Sequence, residues 1–426
     1  MNILIVGSGG REHALLSALH RESPESVFFA APGNPGMASR ATLLPIAASD
    51  LDAIVGAAKA HAVDLVVIGP EIPLALGLAD RLRKEGRLAF GPSAAAARIE
   101  ASKAFAKALM ERAGVPTAGS RTFVRLDEAL AYVEQHTEPV VVKASGLAAG
   151  KGAVVCATRE EAARAVRSMM EARVLGDAGT ELVIEEFMEG EELSVFALTN
   201  GKDVVLLPSA QDHKRLHEGD TGPNTGGMGA YSPVSLATTE LLSTVERTIL
   251  LPTLAQMERE GTPFSGLLYA GLMIGRSGLP RVVEFNCRFG DPETQAILPL
   301  VSGGLLDAML RVARGESPSA VSVMPGCFAV TTVLAARGYP DRPESGATIE
   351  IPSRLEEGVS VFHAGTRQSP SGALEVAGGR VLAVTAVATT FAAAQSRSHA
   401  AAKAIQFGGK IFRGDIGWRE AGRLNG

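Results

Sequence analysis

Residues 282–295 read VVEFNCRFGDPETQ, and the fold is decided by how they are interpreted. Val282 and Val283 are β-branched and open a strand in which Glu284 and Asn286 face one side and Phe285 the other. A carboxylate and an amide oxygen then lie side by side, the all-oxygen pair that Mg²⁺ accepts alongside the phosphates of a nucleotide. The strand runs out into Arg288, Gly290, Asp291, Pro292 and Glu293. A turn so dense in charge, directly after a metal-binding strand, suits a grip on a small anionic substrate beside ATP. An isolated E-x-N would read as an exposed strand end; the RFGDPE that follows it argues for a site.

The 426 residues exceed one ordinary core and should divide into roughly two to four domains. With 46 % hydrophobic and 20 % charged residues the chain is globular, and a formal charge of -5 gives no basic footprint for nucleic acid. Cys156, Cys287 and Cys327 lie far apart, without C-x-x-C spacing or histidines at ligand spacing, and read as buried free thiols of a reducing compartment. Met1 and Asn2 lead straight into ILIV with no basic leader, and no run reaches the roughly 18 apolar residues that a membrane span requires. The expectation is a cytoplasmic protein with no membrane or nucleic-acid partner, acting on small molecules as a monomer.

The first hundred residues alternate strand and helix as in a parallel sheet: NILIV (2–6), VFFAA (27–31) and LVVIG (65–69) read as strands. They lead into glycine-bearing turns, GSGG (7–10), PGNPG (32–36) and GPEIP (69–73), which gather at the carboxyl edge where ligands bind. Residues 91–119 read as one long helical stretch stopped by Gly114 and Pro116. Residues 139–198 place two strands around a glycine-rich loop, then a helix and a further strand, a small α+β lid. A third block holds the long loop DHKRLHEGDTGPNTGGMGAYSP and the opening motif. From Cys327 short alternating strands return with one helix near 391–407. The expected divisions are 1–100, 101–191, 192–326 and 327–426, an amino-terminal parallel-sheet domain followed by α+β units.

Gly7, Gly9 and Gly10 invite a dinucleotide fingerprint, but G-x-G-x-x-G would need glycine where Glu12 stands, so no nicotinamide cofactor is implied. The turn serves either as a plain turn or as a phosphate cradle at a helix amino terminus, with Arg11 adjacent. GLAAGKG (146–152) fails the Walker count by one residue, and Gly152 stands where Ser or Thr should follow the lysine. Lys143 before a glycine-rich hairpin fits a flap laid over a triphosphate, with a plain glycine hairpin as the alternative. VIEEFMEGEE (183–192) sets apolar residues beside carboxylates. In a nucleotide site the backbone of Glu186, Phe187 and Met188 would read the adenine edge and Glu192 would accept the ribose hydroxyls; otherwise the cluster is a solvated turn. The loop from Asp212 to Pro233 is too glycine-rich for a core element and too long for a plain linker.

Taken together, GSGGREHAL, APGNPG, GPEIPL, KASGLAAGKG, IEEFMEGEE, QDHKR, DTGPNTGGMGAYSP, LYAGLM, EFNCRFGDPETQ and VFHAGT, in this order over nearly the whole chain, resemble the phosphoribosylamine–glycine ligase family of ATP-grasp enzymes. One position departs from it: Ser145 stands where the family usually carries Asp. The resemblance implies a Rossmann-like pre-ATP-grasp domain, an ATP-grasp core with its lid, and a carboxyl-terminal α+β domain. It implies ligation of glycine to 5-phosphoribosylamine, with ATP as a substrate, through glycyl phosphate in purine biosynthesis. Lys103 and Lys143 would hold phosphates, with Gly150, Lys151 and Gly152 of the flap and Glu185 beside the nucleotide; Glu284 and Asn286 would hold Mg²⁺, or Mn²⁺ in its place. Arg288 would stabilise the transferring phosphoryl group or the glycine carboxylate, Asp212 would partner the glycine ammonium, and Lys214 would assist. The sugar phosphate would lie at Gly9, Gly10 and Asn34, near Glu71, Lys214, Asn224, Gly226 and Asp291. The rival readings are another ATP-grasp carboxylate–amine ligase with a different acceptor, or a non-catalytic nucleotide-binding module.

Overall fold

The computed structural model describes residues 1–148 and 152–425. Its amino-terminal sheet is parallel, in the order Thr42–Leu43, Val27–Pro32, Asn2–Gly7, Leu65–Ile68, Leu88–Phe90. Ile3, Leu4, Ile5 and Val6 are all fully buried, as expected of an unbroken apolar strand covered on both faces. The strand order reverses direction at Asn2–Gly7, which opens a crevice beyond the carboxyl ends of the central strands.

The helical stretch expected over 91–119 is two helices, Ala94–Ala101 and Lys103–Ala113. Ser102, extended at φ -140°, ψ 108°, ends the first and caps the second by accepting a hydrogen bond from the Phe105 N–H at 3.1 Å. An unbroken run of helix formers concealed this corner. Ser145 sits against it: its carbonyl accepts from the Lys103 N–H at 2.8 Å and its hydroxyl from the Ala104 N–H at 3.1 Å. The hydroxyl thus meets orphan donors at a helix start, a task a carboxylate would also perform.

The lid is an antiparallel sheet in the order Ser120–Phe123, Leu182–Glu186, Val140–Ala144, Ala153–Cys156, with helices Leu126–Gln135 and Arg159–Met170 closing a core of its own. Beside it, Val204–Leu206, Glu191–Thr199, Gly266–Ile274 and Pro280–Asn286 form a second antiparallel sheet. A third sheet orders Gln211–Asp212, Gly229–Ser232, Phe328–Ala335, Arg380–Ala388 and Val359–His363. It therefore draws strands from both sides of position 326. The stretch expected as a long loop folds into two pairs of short strands, Gln211–Asp212 with Gly229–Ser232 and Arg215–His217 with Thr221–Asn224. Strands of two to four residues broken by glycine leave no alternation to detect. Among the described residues no helix is long and apolar enough to cross a membrane.

Three buried or half-buried imidazoles stitch these layers. The His363 N–H donates to His13 Nδ1 at 2.9 Å, joining the carboxyl-terminal sheet to helix Gly10–Glu22, and the Gly417 N–H donates to His213 Nε2 at 3.1 Å. Burial, with His363 and Arg40 adding to it, pushes His13 down to about 3; burial and Arg413 push His213 to about 3; burial alone pushes His363 to about 4. The unfolded chain protonates these rings near the ordinary value of 6.5, so their folded-state advantage is complete above that pH and is lost as pH falls below it. Each fully buried ring adds a slope of about 1.4 kcal/mol per pH unit. Urea midpoints should fall steadily between pH 6.5 and 5, before most carboxylates titrate. A flat profile across that window would show that the rings are not held neutral.

Candidate active site

A cavity of about 490 Å³ lies where the carboxyl edge of the parallel sheet, the lid and strand Pro280–Asn286 converge. Lys143 projects from lid strand Val140–Ala144, and Glu185 from its neighbour Leu182–Glu186, with Val141 opposite Glu185 in the register. They are diagonal neighbours on one face, the geometry that brings long side chains together. Glu185 Oε2 lies 2.8 Å from Lys143 Nζ and Oε1 lies 3.2 Å from Lys107 Nζ, all three side chains buried. Lys143 also donates to the Val283 carbonyl at 3.1 Å, tying the lid to the strand that carries Glu284. Burial pulls Lys107 down to about 8 against the opposing charge of Glu185, and burial also lowers Lys103, whose Nζ lies 3.5 Å from the Gly146 carbonyl.

Glu284 and Asn286 both line the cavity; Phe285 between them is buried in the main core and borders the cavity as well. The Glu284 carboxyl stands below its ordinary range because Lys214, Lys143, Lys103 and Arg288 outweigh the cost of burial. No group of three or more His, Cys, Asp or Glu side chains among the described residues could enclose a metal ion unaided. Two hard oxygen donors with a ring of cations beyond them fit an ion that completes its shell with substrate phosphates, as Mg²⁺ does.

Arg288 pairs with two carboxylates. Its Nη2 lies 2.6 Å from Glu100 Oε1 and its Nε 3.3 Å from Glu71 Oε2. Glu100 Oε2 accepts the Cys287 N–H at 2.8 Å, so the carboxylate grips both the side chain and the backbone of the turn. Arg288 Nη1 also donates to the Phe289 carbonyl at 3.2 Å. Burial raises the Glu100 carboxyl, whereas Glu100 and Glu71 overcome the desolvation of Arg288 and hold it charged.

Across the cavity Lys214 pairs with Glu192, and burial is outweighed there by Glu192, Asp212 and Glu284, which hold the ammonium well above its usual range. Asp212 is pushed up to about 8 by burial, with Glu293, Glu192 and Glu284 adding to the effect and Lys214 opposing it. Glu293 is buried beside it, accepting the Tyr269 hydroxyl at 2.7 Å.

Of the residues singled out in the sequence, Lys103, Lys143, Gly152, Glu185, Glu186, Phe187, Met188, Glu192, Asp212, Lys214, Asn224, Gly226, Glu71, Glu284, Asn286, Arg288 and Asp291 line this one cavity. Gly150 and Lys151 lie outside the described residues. Gly9, Gly10 and Asn34 do not line it. The Gly9 N–H is taken by Glu12 Oε2 at 2.6 Å, and a Cβ on Gly10 would lie 2.5 Å from Gln295 Nε2, so these glycines admit the 291–295 segment to the helix turn. The Asn34 amide donates to the Ser8 and His363 carbonyls, both at 2.9 Å, and serves as a strap between sheets. Glu186 carries an ion pair to Arg281 and accepts the Gly119 N–H at 3.0 Å; of the next two residues Phe187 is exposed and Met188 is buried.

Sequence reading missed Glu100, Lys107 and Arg380, and placed Arg11, which lines this cavity, only beside a candidate phosphate turn. Arg380 Nη1 donates to the carbonyls of Gly226 and Asp291, the latter at 2.7 Å, and so locks the GPNTGGMG segment to the RFGDPE turn. Nothing in AAAARIEAS or in GGRVLAV marks Glu100 or Arg380 as different from surface charges; only tertiary contact reveals them. Glu293 could have been found, since it stands within the quoted motif.

Comparison with known proteins agrees with this geometry. Models of the phosphoribosylglycinamide synthetase family match in three parts: the N domain over residues 1–100, the ATP-grasp (A) domain over 101–294 and the C domain over 329–419. The phosphoribosylamine–glycine ligase of Ralstonia nicotianae is 48 % identical over 420 residues, covering 98 % of this chain and 99 % of that protein. That of Chlorobaculum tepidum is 48 % identical over 423 residues with the same coverage. The crystal structure of phosphoribosylamine–glycine ligase from Thermotoga maritima superposes with a TM-score of 0.85 at 35 % identity, covering 98 % of this chain and all of that one. The biotin carboxylase domain of Hydrogenobacter thermophilus 2-oxoglutarate carboxylase, at TM-score 0.71 and 18 % identity over 96 % of this chain and 91 % of that one, shares the fold alone. With close similarity along almost its entire length, the chain belongs to the phosphoribosylamine–glycine ligase family of ATP-grasp enzymes.

Proposed function

We propose that the chain ligates glycine to 5-phosphoribosylamine, with ATP converted to ADP and phosphate, and that the reaction passes through glycyl phosphate. The observation that carries this reading is Arg288: a permanently charged guanidinium, held by Glu71 and Glu100 at the seam between the parallel sheet and strand Pro280–Asn286, and lining the same cavity as Glu284 and Asn286. A glycine carboxylate oxygen would form a bond to the γ-phosphorus as the bond to the ADP oxygen breaks. The phosphoribosylamine nitrogen would then attack the acyl carbon, phosphate would leave, and the amine would release its extra proton.

Bound Mg²⁺, or Mn²⁺, would neutralise charge on the phosphates, with Glu284 and Asn286 as its protein donors. Lys103 and Lys143 would hold phosphate oxygens, with Gly152 lining the same cavity. Apolar side chains including Met188, Val141, Val155 and Met273 would bound the adenine, with Glu192 toward the ribose. Asp212 would take the glycine ammonium and Lys214 would keep that corner charged, while Glu71, Asn224, Gly226 and Asp291 would receive the sugar phosphate at the amino-terminal side. The contribution of the protein to the first step is positioning and charge neutralisation.

Phosphate release from ATP should require glycine and freshly made phosphoribosylamine together, in a medium containing Mg²⁺. Vigorous release with another amino acid, and none with glycine, would sink the assignment. Glu284→Gln keeps shape and removes charge; turnover should fall roughly 10²- to 10³-fold while stability changes by about 1 kcal/mol or less. Near-normal turnover of this variant at limiting Mg²⁺ would remove Glu284 from the metal site. Arg288→Lys places a single ammonium where a planar fork spans Glu71 and Glu100, and roughly 10²-fold of turnover should be lost. Full activity with lysine there would show that bidentate geometry is not what the site uses.

A further inference from the structure

A second cavity, about 530 Å³, opens between helix Gly10–Glu22, the turn Pro35–Met37 and strand Val359–His363. It shares no lining residue with the first. His13, His20, Arg21, Arg40 and His363 line it with the hydroxyls of Ser17 and Ser39, and no carboxylate does. Arg40 Nη1 donates to Ser17 Oγ at 2.8 Å, and Arg21 Nη2 donates to the carbonyls of Leu298 and Val301 at 3.1 and 2.8 Å. Both guanidinium groups are thereby oriented by neutral acceptors, and among the described residues neither forms a salt bridge.

The deeper wall is built from three of the quoted motifs, by residues that do not line the first cavity. His13 comes from GREHAL, Gly36 from APGNPG and His363 from VFHAGT. Because His13 Nδ1 accepts the His363 N–H, the neutral ring carries its proton on Nε2 and presents a donor. Gly36 packs against both rings; a Cβ there would lie 2.5 Å from His13 Cε1 and from His363 Cδ2. Only glycine lets the turn close against the two rings. The Asn34 strap fixes this turn to the strand that carries His363.

We propose that this cavity is a second anion site, which takes a small phosphomonoester. Two guanidinium groups without a salt-bridge partner, with imidazole and hydroxyl donors, line a space whose walls carry no carboxylate, and Glu22 is the nearby anion that acts on Arg21; this is the donor set a phosphoryl group calls for. The volume falls in the range of small-molecule sites and exceeds what a bare phosphate fills. A sugar phosphate and the inorganic phosphate released by ligation offer the same chemistry. Occupancy would be felt in the first cavity, since His13 directly follows Glu12, which holds the Gly9 N–H, and Arg11, which lines that cavity.

The test titrates the full chain, labelled with ¹³C at histidine, with ribose 5-phosphate in one arm and inorganic phosphate in the other, and follows the imidazole signals. Saturable shifts of His13 and His363 are expected, with affinity about tenfold weaker in Arg40→Gln, which removes one charged donor from the rim. A response to ribose 5-phosphate alone identifies a sugar-phosphate site; a response to both identifies recognition of the phosphoryl group itself. Absence of a saturable shift in both arms, or equal affinity in Arg40→Gln, overturns the proposal. The readout does not depend on ligation, so failure of the activity assay would leave it standing.

Discussion

The pairing of Arg288 with Glu71 and Glu100 holds together segments that would otherwise only touch. Glu71 opens the short helix after the parallel strand Leu65–Ile68, Glu100 sits near the end of helix Ala94–Ala101, and Arg288 follows the metal strand Pro280–Asn286. Ions buried in this way are costly unless paired and hydrogen-bonded, and removal of one partner from such a group typically costs about 3–5 kcal/mol. Glu100 meets the condition with two acceptor oxygens, one on Arg288 and one on the Cys287 N–H. The seam thus fixes the distance between the carboxyl edge of the parallel sheet and the strand that carries Glu284 and Asn286, and a two-substrate reaction requires such fixed spacing. Arg380 repeats the device from the carboxyl-terminal sheet, where it spans Gly226 and Asp291.

Glu12 explains why a Rossmann-like sheet of this kind holds no dinucleotide fingerprint. Its carboxylate folds back over the first turn, accepts the Gly9 N–H, pairs with Arg11 at 2.6 Å and lies so close to Gly7 and Gly69 that a Cβ at either would collide with it. The side chain occupies space that glycine would leave to a pyrophosphate. One substitution in the glycine pattern directs the turn inward, and the Gly9 N–H is used within the protein as part of an internal cap.

Much of the fold was legible because its signals are local. Unbroken apolar runs such as ILIV and LVVI can only be covered parallel strands, and glycine turns at their ends set the carboxyl edge. The placing of Glu284 and Asn286 in one cavity was legible from the period of two in a strand. What stayed hidden depends on contacts between distant residues: the corner at Ser102 in a run of good helix formers, the strands within 211–232, and the partners Glu100, Lys107 and Arg380. The assignment of Gly9, Gly10 and Asn34 to a substrate shows the converse hazard. A glycine turn and an exposed-looking asparagine carry the same signature whether they face a ligand or admit another segment of the chain, and here Gln295, Glu12 and His363 fill those places.

The account makes carboxylate activation on the γ-phosphate the event that the cavity is built for, and the fate of one oxygen atom tests it. Glycine labelled with ¹⁸O in its carboxylate, turned over with ATP and phosphoribosylamine, leaves its label in the products, and the released phosphate can be weighed by mass spectrometry. If glycyl phosphate forms, its bridging oxygen comes from glycine and departs with phosphate, so each inorganic phosphate should carry one ¹⁸O from a fully labelled carboxylate. Phosphate free of label, with ligation proceeding normally, would contradict the account.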